Sequence, residues 1–297
     1  MRVLNYGSLN IDLVYAMPHF VRAGETLASL GHQTFAGGKG LNQSIALAKA
    51  GADVCHAGKI GRDGLFLREL LERHGVDTSC LAVTDGPTGH AVIQVDPSGQ
   101  NCIIICGGAN QEITPADVDG VLRHFEAGDV LLIQNEISSL PYLIGAAAAK
   151  GMRIALNPSP INEALGEMDL SAVTWFILNE IEGEQLSGKR VPEEICRELL
   201  AKYPGSTVVL TLGKRGVLCA DGRDTISHGI YDVPVVDTTA AGDTFTGYFL
   251  AGVLSGLSPA QCLERASIAS SIAIGRAGAA ESIPERAEVD EKQALWK

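Results

Sequence analysis

The chain has 297 residues, 46% of them hydrophobic and only 5% aromatic, with a formal net charge of −12. That balance suits an aliphatic core of the α/β kind and excludes a broad surface for nucleic acid or anionic membrane, leaving room only for a local basic pocket. No apolar run approaches the roughly 18 residues that a membrane helix needs, and the N-terminus lacks the apolar core of a secretory signal.

In chain order, "RVLNYGSLNID" reads as a strand, "LNQSIALAKAG" as a helix closed by Gly51, and "DVCHAGKIG" as a strand. "LFLRELLERHG" has leucines at helical spacing and ends at Gly75. "GHAVIQVDPSGQNCIIICGGAN" is two strand-like runs joined by a β-turn at Asp96-Pro97-Ser98-Gly99. "TPADVDGVLRHFEAG" opens a helix with Thr114 as N-cap, Pro115 in the first turn and Asp117 completing a capping box. "DVLLIQNE", "LPYLIGAAAAKG", "RIALNPSP", "TWFILNE", "PEEICRELLAKYPG" and "STVVLTLG" continue the alternation of strands and helices. Two closing helices are expected, one from Gly242 and one from Ser258, where Ser258 and Gln261 form a second capping box.

This alternation predicts one α/β domain spanning 1–297, with a mostly parallel sheet covered by helices on both faces. The hairpin cannot easily join such a sheet. It is expected to stand off as a flap over the strand ends, paired with "ETLASLGHQTFAG". The seven cysteines are scattered, and Cys102 and Cys106, in an apolar strand, read as core. A soluble cytoplasmic protein with reduced thiols is expected.

Two stretches carry chemistry. In "VVDTTAAGDTFTGYFLAG", the nearly bare backbone of Ala240, Ala241 and Gly242 leads into a helix whose first N–H groups lack partners and whose dipole favours an anion. Asp243, beside that anion site, is poorly suited to holding phosphate and well placed to accept a proton from a hydroxyl attacking phosphorus. The bland alternative is an aspartate that merely favours a helix N-terminus. In "FAGGKGLNQSIALAKAG", glycines again lead into a helix and place Lys39 and Asn42 at its start, a set suited to a polyhydroxylated ligand. Asn10 and Asp12, polar positions in an apolar run, suit the same ligand. A near match to a phosphate-binding loop, "GEQLSGKR" from Gly183, has Arg190 where Ser or Thr would bind magnesium. His19, His32, His56, His74 and His90 show no metal-ligand spacing, and no G-x-S-x-G elbow suggests a hydrolase.

From "GSLNIDLV" to "GAAESIP" the sequence resembles the ribokinase-like (PfkB) family of sugar and nucleoside kinases, whose two signature stretches match "GGKGLNQ" and "DTTAAGDTF". "GGKGLNQ", "NPSP" and "GGAN" resemble the ribose-phosphorylating members more than the phosphosugar kinases. The resemblance implies a ribokinase-like three-layer α/β sandwich with a central, mostly parallel sheet. It also implies a small β-lid, with strands within 11–36 and 89–106, that often mediates a homodimer. It implies ATP-dependent phosphorylation of D-ribose at O5, with Mg2+ and stimulation by K+. Asn10, Asp12, Gly38, Lys39, Asn42 and Glu136 would bind sugar hydroxyls, with Asp243 as base. Asn179, Thr211, Leu212, Gly213, Lys214, Arg215, Gly216, Gly242 and Ser267 would border the nucleotide. Asn179 and Glu182 match an Asn-x-x-Glu pattern linked to magnesium. Asp237, Thr239, Ala273, Arg276, Gly278 and Ser282 match loops that hold a monovalent cation. Two positions depart from the family pattern: Ser267 replaces a frequent histidine beside adenine, and Leu41 replaces a commoner alanine. Another sugar, a sugar acid or a nucleoside stays open as the substrate, as does a sugar-binding regulator without catalysis.

Overall fold

The computed structural model describes residues 1–296, and its strands form two sheets. β1 (Val3–Tyr6), β4 (Val54–Gly61), β5 (Asp77–Thr84), β8 (Val130–Gln134), β9 (Arg153–Asn157), β10 (Val173–Asn179) and β11 (Thr207–Thr211) are parallel. β12 (Val217–Ala220) and β13 (Thr225–His228) add an antiparallel edge, giving the order β13-β12-β11-β10-β9-β8-β1-β4-β5. The fully buried runs of β1 and β8 reflect helices packed on both faces. One core layer joins the sheet to α1 (Lys39–Lys49), α2 (Leu65–Arg73), α8 (Ala241–Leu254), α9 (Pro259–Ile274) and α10 (Arg286–Leu295). The other joins it to α3 (Pro115–Leu122), α4 (Leu140–Ala149) and α7 (Pro192–Lys202). The expected three-layer arrangement is therefore present. Two short helices, α5 (Glu163–Glu167) and α6 (Glu180–Ser187), flank β10.

The second sheet has the order β3-β2-β6-β7, from β2 (Asn10–Ala16), β3 (Gly31–Gly37), β6 (Gly89–Val95) and β7 (Asn101–Cys106). The 96–99 turn closes the β6–β7 hairpin as expected, with Gly99 at φ 81° and its N–H on the Asp96 carbonyl. The hairpin does not pair with the 25–37 segment directly. β2 lies between them, parallel to β6 and antiparallel to β3, and residues 25–30 form no strand.

Three further expectations are corrected. The first strand is two, because the chain turns at Gly7–Leu9 and passes from one sheet to the other, so Asn10 and Asp12 begin the second strand. Asn110 pins that elbow by accepting from the Leu9 N–H (3.1 Å) and donating to the Leu9 carbonyl (3.2 Å). A third terminal helix, α10, follows the expected two; it buries only Val289, too little for an apolar stripe. Cys102 and Cys106 are exposed on β7 and are not core. Both Ser/Thr capping boxes are formed. The phosphate-loop decoy starts inside α6, where Gly183 allows close approach to α7: an added Cβ would lie 2.8 Å from Ile195.

Candidate active site

In sequence, strands leave β1 in opposite directions: β4 and β5 on one side, β8 through β11 on the other. Such a switch point opens a crevice at the carboxyl ends of the strands. Ser8 follows β1, Glu136 follows β8, and the glycine-led start of α1 lies between them. An added Cβ on Gly40 would come within 2.5 Å of the Ser8 backbone, so only glycine lets the helix start this close. Glu136 accepts from the Ser8 hydroxyl and from the Lys39 N–H (3.2 Å), placing a carboxylate on the N-terminus of α1.

The residues expected to bind sugar hydroxyls come together at this crevice. Asn10 accepts from Asn110 (2.8 Å). Gly37 leaves room for Asp12, whose carboxylate would lie 2.2 Å from an added Cβ. Burial, then the Glu136 charge, pushes Asp12 up to about 6. Burial also raises Glu136. Burial opposes the Lys39 charge, but Asp243, Glu136 and Glu182 together hold its ammonium above the usual lysine range. Gly38 caps α1 at φ 97°, a conformation that favours glycine. Asn42 donates to Asp243 Oδ2 (3.0 Å), and its own Oδ1 is buried without a partner, a ready acceptor for a ligand hydroxyl.

The raised carboxyl of Asp12 has a measurable consequence. The folded state binds that proton more tightly than the unfolded chain, whose aspartates titrate near about 4. Stability is therefore expected to fall as pH rises from about 4 to about 6 and then to level off. Asp12→Asn should flatten most of that fall, gaining on the order of 1–2 kcal/mol at pH 8 while weakening sugar binding; denaturant melts at pH 4.5 and 8 provide the check. An unchanged pH slope in the variant would contradict the shift.

Asp243 lies in the first turn of α8, 8% exposed. Ala240 caps that helix in a left-handed conformation (φ 58°), which is strained for alanine and turns the chain into the helix start. The Ala241 N–H reaches the Thr238 carbonyl at 3.3 Å, whereas the Gly242 and Asp243 N–H groups have no acceptor among the described residues. The open amides at the start of α8 are thus those of Gly242 and Asp243. Nothing lies within 4 Å of a Cβ added at Gly242, so its bare backbone borders open space. Thr246 and Ser270 hydroxyls bond the Gly242 and Ala241 carbonyls (2.9 and 3.1 Å), holding the turn from behind.

Of the positions implied for the monovalent cation, Asp237 binds the Thr239 N–H (2.9 Å), the Thr239 hydroxyl (2.7 Å) and the Gly278 N–H (3.1 Å). Against the cost of burial, these donors hold it below the usual carboxylate range. Val236 and Asp237 N–H groups both reach the Ile274 carbonyl, so the 236–239 and 273–278 segments lie side by side. Arg276 turns its guanidinium to Glu288, and the Ser282 hydroxyl donates to the Ala279 carbonyl. Ala273 accepts from the Arg276 N–H.

The nucleotide positions are mixed. Asn179 and Glu182 form the capping box of α6, a structural duty that explains their spacing without a metal. Thr211 ends β11, and the 213–215 turn follows, with Lys214 exposed and Arg215 paired to Glu180. Leu212 is buried in the core. Gly216 is required, since its φ is 88° and an added Cβ would strike the His228 carbonyl at 2.1 Å. Ser267 is buried within α9. Among the described residues no cluster of three His, Cys, Asp or Glu could hold a metal ion. His56 is fully buried against Ser44 (2.8 Å), with burial pushing it down to about 3.

Sequence reasoning missed Gln43, which follows Asn42 and donates to Asp243 Oδ1 (2.8 Å), and Ser8. Gln43 is fully buried between the buried polar residues Asn42 and Ser44, and its one sequence signal is membership of that polar run at the start of an apolar helix.

A family model described as pfkB family carbohydrate kinase matches residues 2–286. The chain is 36% identical to a ribokinase from Staphylococcus aureus, covering 98% of this chain and 99% of that one. It is 35% identical to a ribokinase from Haemophilus influenzae, covering 95% of each. Among solved structures, a ribokinase from Cryptococcus neoformans in complex with ADP superposes with TM-score 0.86 at 35% identity, covering 98% of this chain and 99% of that one. An Arabidopsis thaliana ribokinase complexed with ribose and ATP gives TM-score 0.86 at 30% identity, covering 98% and 97%.

Proposed function

The chain belongs to the pfkB family of carbohydrate kinases, and on that premise we propose that it transfers the γ-phosphoryl group of ATP to O5 of D-ribose, giving D-ribose 5-phosphate and ADP. Full-length similarity to several ribokinases supports ribose as the acceptor. The observation that carries the reading is the buried Asp243 carboxylate, bonded on the sugar side to Asn42 and set beside the open amides of α8.

Asn10, Asp12, Lys39, Asn42 and Glu136 hold the sugar hydroxyls, and O5 faces Asp243. Its proton passes to the carboxylate as the O5–phosphorus bond forms. The bond from phosphorus to the bridging oxygen breaks, and the electron pair leaves with ADP. The amides at the start of α8 face the charge that develops on the phosphoryl oxygens. Positioning supplies most of the rate, and the base adds roughly 10²–10⁴-fold.

Magnesium would neutralise phosphate charge. With no multi-carboxylate cluster among the described residues, it would be held chiefly by the nucleotide phosphates, with Glu182 nearby. The oxygen-rich 237–239 and 273–282 loops, with an ionised Asp237, fit potassium, which would order the turn leading into Ala240. Thr211–Gly216 and Asn179 border the nucleotide.

One assay tests substrate and cation together: coupled ADP release with ribose, fructose, 2-keto-3-deoxygluconate and nucleosides, each in potassium and in sodium. Ribose in potassium is expected to be fastest. Preference for another acceptor would overturn the substrate, and equal rates in both salts would overturn the cation loop.

A homodimer through the lid is supported by β7, an edge strand with Ile103, Ile104 and Ile105 exposed by 49%, 60% and 66%. Such a strand is a template for pairing with a second copy. Sedimentation as a monomer at micromolar concentration would refute that. A cytoplasmic setting agrees with seven unpaired cysteines, and recovery of the protein from a secreted fraction would contradict it.

A further inference from the structure

Behind the carboxylate assigned as base lies a row of buried amides, each with its polarity forced by the next. Asn5 Nδ2 donates to the Gly40 carbonyl (2.7 Å), a group that can only accept, so Asn5 Oδ1 must face the other way. There it accepts from Gln134 Nε2 (3.0 Å), whose amide also donates to Gln43 Oε1 (2.7 Å). With its oxygen committed, Gln43 must turn its NH2 to Asp243 Oδ1 (2.8 Å). A second anchor forces the same answer. Asn157 Nδ2 donates to the Ile177 carbonyl (2.9 Å), so its Oδ1 accepts the other Gln43 hydrogen (3.2 Å). Asn5, Gln134 and Gln43 are all fully buried, where a reversed amide would set like groups against each other with no water to compensate.

We propose that Gln43 is a positioning residue for the reaction: it locks the orientation of the Asp243 carboxylate through Oδ1 and reserves Oδ2, on the Asn42 side, for the sugar proton. Gln134 and Asn5 set the polarity of Gln43 from one side and Asn157 from the other. Gln43 touches no substrate in this arrangement; its contacts are Asp243, Gln134 and Asn157. The proposal rests on Asp243 being the base, and it adds the reason that a carboxylate free to rotate about its last bond is held in one attack geometry.

The test compares Gln43→Met, Gln134→Met and the double variant, measuring kcat, KM and, by calorimetry, the Kd for ribose. Gln43→Met is expected to lower kcat by at least about 20-fold with ribose Kd within about threefold, and Gln134→Met by roughly 3–10-fold. The double variant should be no slower than Gln43→Met alone, because both changes break one chain of bonds. Multiplicative losses, a parallel loss of ribose binding, or a folded Gln43→Met variant within about threefold of wild-type kcat would overturn the proposal. If Gln43→Met does not fold, Asn157→Ala provides the check. It should lower kcat at least about threefold at unchanged ribose Kd, and an unchanged kcat would overturn the proposal. Failure here is distinct from failure of the base: an inactive Asp243→Asn beside a fully active Gln43→Met removes the relay alone.

Discussion

Asp243→Asn is expected to lose turnover by at least about a hundredfold while binding ribose and ATP nearly as well as the wild type. Binding is expected to survive because the hydrogen bonds around residue 243 can be kept. Gln43 can present only its NH2, so the new residue keeps its oxygen toward Gln43 and turns its own NH2 toward Asn42. Asn42 can answer by flipping, because its Oδ1 has no protein partner to give up and a sugar hydroxyl can accept from its NH2 as well as donate to its oxygen. The packing at α8 is preserved and only the proton acceptor is removed. Single-turnover ADP release with ribose and ATP titrated separately measures this, and near-wild-type turnover would take Asp243 out of the mechanism.

The second large effect is expected at Gly242. Its φ is ordinary for a helix start, and a side chain there would meet no protein atom within 4 Å. Neither backbone strain nor packing requires glycine. Gly242→Val should fold with a stability within about 1 kcal/mol of the wild type, since valine is no worse a helix former than glycine. Its branched side chain would occupy the approach to the open amides, where loss of one such donor costs roughly 10²–10³-fold in rate. Thermal melts together with kcat separate the two outcomes. A destabilised variant would mean that Gly242 serves the fold, and a fully active one that phosphate binds elsewhere.

The sequence made the local features legible. Gly38, Lys39 and Asn42 lie within one turn of the start of α1 and the run from Ala240 to Asp243 at the start of α8, so their placement at helix N-termini could be read from short stretches of chain. The Thr114 and Ser258 caps were legible for the same reason. The bend at Gly7–Leu9 was not, since Asn110, a hundred residues away in sequence, holds it. β5 was missed because an edge strand buries little, only Leu81 among its apolar side chains. β12 and β13 are four residues each, too short for a period to register. The Asn-x-x-Glu pattern was legible as spacing, yet a cap and a metal-linked pair demand the same spacing, and here the side chains are spent on each other. The relay from Asn5 to Gln43 could not be read at all, because its members come from β1, β8 and α1 and meet only in the folded chain.

The lid is not one piece of chain. Two of its strands are supplied by residues 10–37 and two by residues 89–106, with α1, α2 and the main-sheet strands β4 and β5 made in between. Transplanting this sheet from a relative therefore calls for moving two segments together. A chimaera that swaps only the β6–β7 hairpin would mate a foreign β6 with the native β2 along seven residue pairs, from Asn10–Gly89 to Ala16–Val95. Asn10 and Asp12 would stay native in such a hybrid, so the two β2 side chains proposed to meet the sugar would be unchanged.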